Sequence, residues 1–251
     1  MPRQAGTIKF TGTIGDLSFY KSQDGFMVRE KTSLSAKRIA TDPAFARTRE
    51  NGKEFGRAGK TGKLIRSAFS SLLSQIADDR MISRLVKAVM VAQRADSISD
   101  RGERNIIDGD ATLLEKFDFN VKSPLGAVLN TQFLADVDRV TGEVTVTVEE
   151  FIPAKNINSP DGATHCRLFS AAAAINFESE SFVKTSATTP EIVLGLQAEA
   201  GITLVQQLPA NSKDHLIVVL GIEFYQRFNG RFYPINNGSA NAITIARVDM
   251  P

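Results

Sequence analysis

Apolar and small residues recur at Phe55, Ala58, Gly62, Ile65, Phe69, Leu72 and Ile76, at alternating spacings of three and four. That is the seam of an amphipathic helix. Asp42-Pro43 marks its start, because an N-cap aspartate accepts from free amides and proline at the first helical position gives up a donor that had no partner. A second helix is predicted over 79–94, with Ile82, Leu85, Val86, Val89 and Met90 on one face and Asp78-Asp79 at its N-terminus. The two are expected to pack as an antiparallel hairpin. After residue 117 the period changes to two. Val144, Val146 and Val148 alternate with polar residues opposite FLADV, across a Thr141-Gly142 turn. Further strands are predicted at HCRLFSAAAAINF, SFVKTS, EIVLGL, ITLVQQL, HLIVVLGIEFYQRF, RFYPI and NAITIARV. The alanine run at 171–174 suits a strand with close neighbours and equally a helix. Asn229-Gly230 is the strongest hairpin signal, since a type I′ turn needs positive φ at both central residues.

The N-terminal 30 residues carry a short echo, GTIKF then GTIGDLSFYK, followed by Asp24-Gly25 and FMVREK. They read as a hairpin or three short strands, too few and too polar to stand alone, so they are expected to add to another sheet in this chain or in a neighbouring subunit. The predicted class is therefore α+β: an N-terminal β arm and basic connector over 1–41, a helical region over 42–116, and a mainly antiparallel β-sandwich, Ig-like or jelly-roll-like, over 117–251. Between 31 and 41 the chain is polar and basic and is expected to be a mobile connector. Asp110 is expected to cap a helical turn or two from Ala111.

Charge sharpens this division. The net charge is +2, but residues 1–105 hold 20 Lys+Arg against 11 Asp+Glu, and residues 106–251 hold 10 against 17. Opposite halves favour a basic surface meeting an acidic one, within the chain or between copies; solvated faces are the plain alternative. Arg49, Lys53, Arg57 and Lys60 fall on one helical face, flanked by Lys37, Arg38, Arg47, Lys63 and Arg66. These nine are the candidate contact residues for another subunit or for a phosphate backbone. Glu50 and Glu54 within the run favour a protein partner. Gly52, Gly56 and Gly59 form a second stripe; each interior glycine costs about 1 kcal/mol relative to alanine, so close packing of another element is expected there. The competing reading makes Asn51-Gly52 a turn, with the helix starting near Thr61.

Candidate chemistry is thin. Gly59-Lys60-Thr61 matches the end of a phosphate-binding loop, but Glu54 stands at the first glycine position and no parallel strand precedes it. His165-Cys166 would point to opposite faces of a strand and could not act together. One cysteine and two histidines give no zinc set, and Asp108, Asp110 and Glu115 lack calcium-loop spacing. Glu149-Glu150 and Glu178/Glu180 read as exposed strand positions. No apolar run reaches the roughly 18 residues of a membrane span and no signal peptide pattern opens the chain, so cytoplasmic synthesis is expected, with no cofactor, metal, small-molecule substrate or enzymatic activity.

The stretches GTIGDLSFYKSQDGFMVREK, KRIATDPAFARTRENGKEFGRAGKTGKLIRSAF and VVLGIEFYQRFNGRFYPINNG resemble an uncharacterised protein family widespread in Bacteroidota. The resemblance spans most of the chain and implies a bacterial or phage setting and no catalytic role. The sequence thus points to a self-assembling structural subunit of a filament, tube, shell or virion-like particle whose partners are copies of itself; binding of nucleic acid through the basic helix is the alternative. A carbohydrate-binding or adhesive sandwich is weaker, because tryptophan is absent.

Overall fold

The long runs HCRLFSAAAAIN and HLIVVLGIEF hold almost no polar alternation, which is the mark of strands covered on both faces. In the computed structural model, which describes residues 2–31, 34–76, 78–235 and 238–251, they form β6 (His165–Asn176) and β10 (His215–Phe228), paired antiparallel from His215↔Ile175 to Tyr225↔His165. Shorter strands flank them. On the β10 side lie β11 (Arg231–Pro234) and β12 (Ala242–Asp249); on the β6 side lie β7 (Ser181–Thr188) and β8 (Ile192–Val193). A second sheet has the order β4 (Phe133–Asp138), β5 (Glu143–Val148) and β9 (Ile202–Gln207).

The two sheets form a β-sandwich whose core joins Val144, Val146, Val148 and Leu204 to Leu168, Ala172, Ala174, Leu216, Val218 and Leu220. The opposite face of the larger sheet presents Phe169, Ala171, Ala173, Ile175, Ile217 and Val219 to the helices. This gives three layers, helix, sheet and sheet, and explains the alanine run: 171 and 173 face helices while 172 and 174 face strands. Each fully buried leucine or isoleucine in these clusters contributes about 1.5–3 kcal/mol. The fold class is thus α+β with a mainly antiparallel sandwich, and the helices share a core with it.

The helical layer consists of α2 (Ala46–Ala68) and α4 (Met81–Arg94), with α3 (Ser70–Leu73) between them. Asp42 accepts from the Ala44 amide at 2.9 Å and starts a 3-10 turn at Pro43 that leads into α2. The helix is continuous through 51–62, so Asn51-Gly52 is not a turn. Gln93 Nε2 donates to the Glu54 carbonyl, while Gly62 lies beside Val86; higher positions in one helix meet lower ones in the other, so the pair is antiparallel. The seam differs from the expected one at its start: Phe55 is 62% exposed and Glu54 is buried. Asp78 and Asp79 do not cap α4; the N-cap is Arg80, and Asp78 instead holds Arg84 at 2.6 Å and the Val121 amide at 3.1 Å. Asp110 caps the 3-10 turn Ala111–Leu114 through the Thr112 amide.

Contacts divide the chain into Met1–Arg49 and Glu50–Pro251. The two sheets and the helical layer from Glu50 onward belong to the second unit. The first holds β1 (Gly12–Ile14), β2 (Leu17–Ser22) and β3 (Gly25–Glu30) in that spatial order, with residues 2–4 along the outer edge of β3. The expected mobile connector contains a helix, α1 (Ala36–Thr41), capped by Ser35, whose hydroxyl accepts from the Arg38 amide; positions 32 and 33 lie outside the described residues. Among the described residues, no helix is long and apolar enough to cross a membrane.

Candidate subunit-contact surface

No described residue of 2–49 is buried. The cause lies in strand periodicity. Pairing of Phe19 with Val28, Lys21 with Phe26, and Ile14 with Leu17 puts Ile14, Leu17, Phe19, Phe26 and Val28 on one face, since partners and alternate residues share a side. The Phe10 ring meets Phe19 edge-on at 6.0 Å on the same face. The other face carries Tyr20 and Met27, with the Arg29 guanidinium 5.6 Å from the Tyr20 ring centre. A sheet with an apolar face normally buries it against another layer; here Ile14 and Leu17 remain exposed.

The segment GTIKF, read as a strand from sequence, is not in one. Ile8 is 72% exposed. Its chain is tethered by Gln4, whose Oε1 accepts from the Phe10 amide at 2.8 Å and whose Nε2 donates to the Phe10 carbonyl at 3.1 Å.

The nine cations are divided between the two units. Within the N-terminal unit, Arg49 Nη1 donates to the Ile39 and Asp42 carbonyls, each at 2.9 Å, closing the end of α1. Arg38 pairs with Asp42 at 3.1 Å and lies over the Phe45 ring. In the larger unit, Lys53 and Arg57 both bind Glu103, Arg57 also donates to the Gly102 carbonyl at 2.7 Å, and Lys60 reaches Glu180 at 3.7 Å. Lys37, Arg47 and Lys63 make no ion pair among the described residues, and Arg66 is half-buried with its Nε unpartnered.

The glycines also depart from expectation. A Cβ at Gly52, Gly56 or Gly59 would meet nothing within 4 Å, so they pack against no described element; the close approach is at Gly62, where a Cβ would stand 3.5 Å from Val86. The stripe Gly52, Phe55, Gly56 therefore faces outward. Gly59-Lys60-Thr61 lies inside α2, where its amides bond within the helix and cradle no phosphate.

What the sequence reading missed is the anchor of the 96–105 loop. Buried Glu54 accepts from the Gly102 amide at 2.9 Å, and buried Gln93 donates to the Arg104 carbonyl at 2.6 Å. Asp96 accepts from the Ile98, Ser99 and Asn105 amides. Burial alone would raise the Asp96 pKa, but these bonds to the ionised form hold it down at about 2. The available signal was Glu54 itself, four residues before Ala58 on the seam.

His165 and Cys166 point to opposite faces. Cys166 lies in the inter-sheet core, where burial first and Glu199 second push its thiol up to about 12; His165 meets the Phe232 ring edge-on at 5.0 Å. No group of three or more His, Cys, Asp or Glu placed to hold a metal occurs among the described residues. The β10–β11 turn has positive φ at both Asn229 and Gly230, as a type I′ turn requires.

No family model matches the chain, and no curated protein matches it in sequence. Among solved structures, the first C2 domain of human synaptotagmin XIII is similar over 49% of this chain and 83% of that one, at 16% identity and a TM-score of 0.28. A structure described as pH-induced modulation of Streptococcus parasanguinis adhesion by Fap1 fimbriae is similar over 47% of this chain and 80% of that one, at 14% identity and a TM-score of 0.24. At such TM-scores neither likeness bears on what this chain does, and the sandwich rests on its own strand pairing.

Proposed function

We propose that this chain is a self-assembling structural subunit whose N-terminal unit makes contacts with other copies. The observation that carries this reading is the complete lack of burial among the described residues of 2–49, in a sheet that nonetheless gathers Ile14, Leu17, Phe19, Phe26 and Val28 on one face, with Lys21 and Glu30 on the same side. Three short strands with no fully buried residue stand at the lower limit of what an independent sheet needs. Charge supports the same reading: residues 1–49 hold nine Lys+Arg against four Asp+Glu, while residues 50–251 hold 21 against 24. Repetition of one heterologous contact then gives a ring, a shell or a filament, according to whether the rotation closes.

Sedimentation velocity with electron microscopy of the full chain, over a range of concentration at low and high salt, tests this. Species larger than the monomer that shrink as salt rises are expected, because exposed opposite charges are screened. Dispersed monomers under every condition would overturn the proposal.

A further inference from the structure

The smaller sheet ends at β4, which pairs with β5 alone; its other edge carries no strand among the described residues. That edge borders a cavity of about 420 Å³. Three consecutive β4 residues and the consecutive β12 residues 244–247 line it. Since alternate side chains of a strand point opposite ways, consecutive lining residues mean that the β4 edge, with its backbone groups, forms one wall; on the other wall the outward backbone of β12 is already bonded to residues 116–119. Leu125, Phe133 and Ala246 supply apolar surface; Lys116, Asp118 and Arg247 supply polar groups. An unpaired edge next to an apolar groove is a template for an added strand.

From these features we infer that the β4 edge of one copy accepts the GTIKF segment, residues 6–10, of a second copy as an additional strand. This rests on the assembly reading and names its site. Three observations select the occupant. GTIKF has the alternation of a strand and is in none, with Ile8 72% and Phe10 50% exposed; on joining β4, Phe10 exchanges its ring contact with Phe19 and its bonds to Gln4 for those of the groove. Its five residues span about 17 Å as a strand, a length comparable to the six of β4. The periodicities also match: Phe133, Ala135 and Val137 of β4 point to the core while Leu134, Asp136 and Asp138 point out. An added strand with Ile8 and Phe10 inward extends the apolar row, and Lys9 then falls on the outer face with exposed Asp136. The basic charge of the donor unit and acidic charge of the acceptor unit agree with that pairing.

Hydrogen exchange over residues 133–138 of the full chain, combined with sedimentation, tests the inference. At assembling concentrations the outward amides of β4 are expected to exchange at least about tenfold more slowly than after dilution, as new backbone bonds close the edge. Ile8→Asp/Phe10→Asp is expected to abolish both the protection and the larger species. Ile8→Asp alone, at an exposed position without a ring contact, serves where the loss of Phe10 against Phe19 disturbs the local sheet. Larger species that persist in the Ile8→Asp chain, or that form with β4 unprotected, would overturn this site and leave the assembly reading standing. A crosslink between Cys introduced at Lys9 and at Asp136 that occurs only within a monomer would overturn exchange between copies. Absence of any species above the monomer would overturn the assembly reading and this inference with it.

Discussion

Gly221 sits in the middle of β10 opposite Phe169, and a Cβ there would stand 2.3 Å from Phe169 Cζ and 2.6 Å from the Ala242 carbonyl oxygen. The ring is fully buried and the carbonyl is backbone, so neither yields easily. Gly221→Ala is expected to destabilise the fold by about 1–3 kcal/mol, the range for overpacking a tight core, read as a lower urea midpoint with unchanged slope. Two buried titratable groups set different pH windows. His215 packs on Phe177 at 5.1 Å with its Nε2 unpartnered among the described residues, and burial first, then Arg139, holds its pKa below 6.5, with Asp214 opposing. Its unfolded form takes up a proton first, so stability is full above about pH 6.5 and falls as pH drops through the folded pKa. Asp96 has the same sign at lower pH: its contribution is present above about pH 4 and lost as pH falls toward 2. His215→Phe is expected to flatten the upper window of a stability-against-pH series and Asp96→Asn the lower one, each alone. Neither role was legible in the sequence, where a lone histidine or aspartate carries no record of its burial.

At the level of elements, α2 carries three glycines that a folded helix does not need. Gly52, Gly56 and Gly59 have open space where a side chain would go, so replacing each with alanine is expected to stabilise the helix by about 0.5–1 kcal/mol, measured by thermal or urea unfolding. The same changes place methyl groups on the outward stripe beside Phe55. Weakened assembly with raised stability would mark that stripe as a contact surface. Here the sequence was legible in part. Helical spacing gave α2 and α4, yet the seam begins at Glu54, because periodicity counts apolar residues and passes over a carboxylate satisfied by the Gly102 amide. Glu54→Ala is expected to cost about 1–3 kcal/mol, the price of an orphaned buried donor, with faster amide exchange concentrated in residues 99–105. The strands were legible almost throughout, since alternation and the Asn229-Gly230 turn are local signals. The doubly covered central sheet was legible in part: the apolar runs of β6 and β10 signal two covered faces, but a run does not say which layer lies on each side.

For the whole molecule, the buried side chains and the N-terminal unit are separable in sequence. All described buried residues lie at or after Glu54, so both hydrophobic clusters are built from the larger unit's own residues. Deleting those residues keeps Asp42 and Pro43, which start the turn into α2. The shortened chain is therefore expected to unfold in one cooperative step within a few degrees of the full chain, since no buried residue is removed. It is also expected to lose every species larger than the monomer, because the exposed face of β1–β3, the GTIKF segment and the positive charge of the first unit go together. A chain that stays assembled would place the subunit contact within 50–251 and reject the role given to the N-terminal unit. A chain that unfolds well below the full length would show that the first unit stabilises the second, against the burial pattern. Adding the detached peptide of residues 5–11 in excess separates the apolar face from the segment: renewed protection of residues 133–138 assigns the contact to GTIKF, while none assigns it to the β1–β3 face.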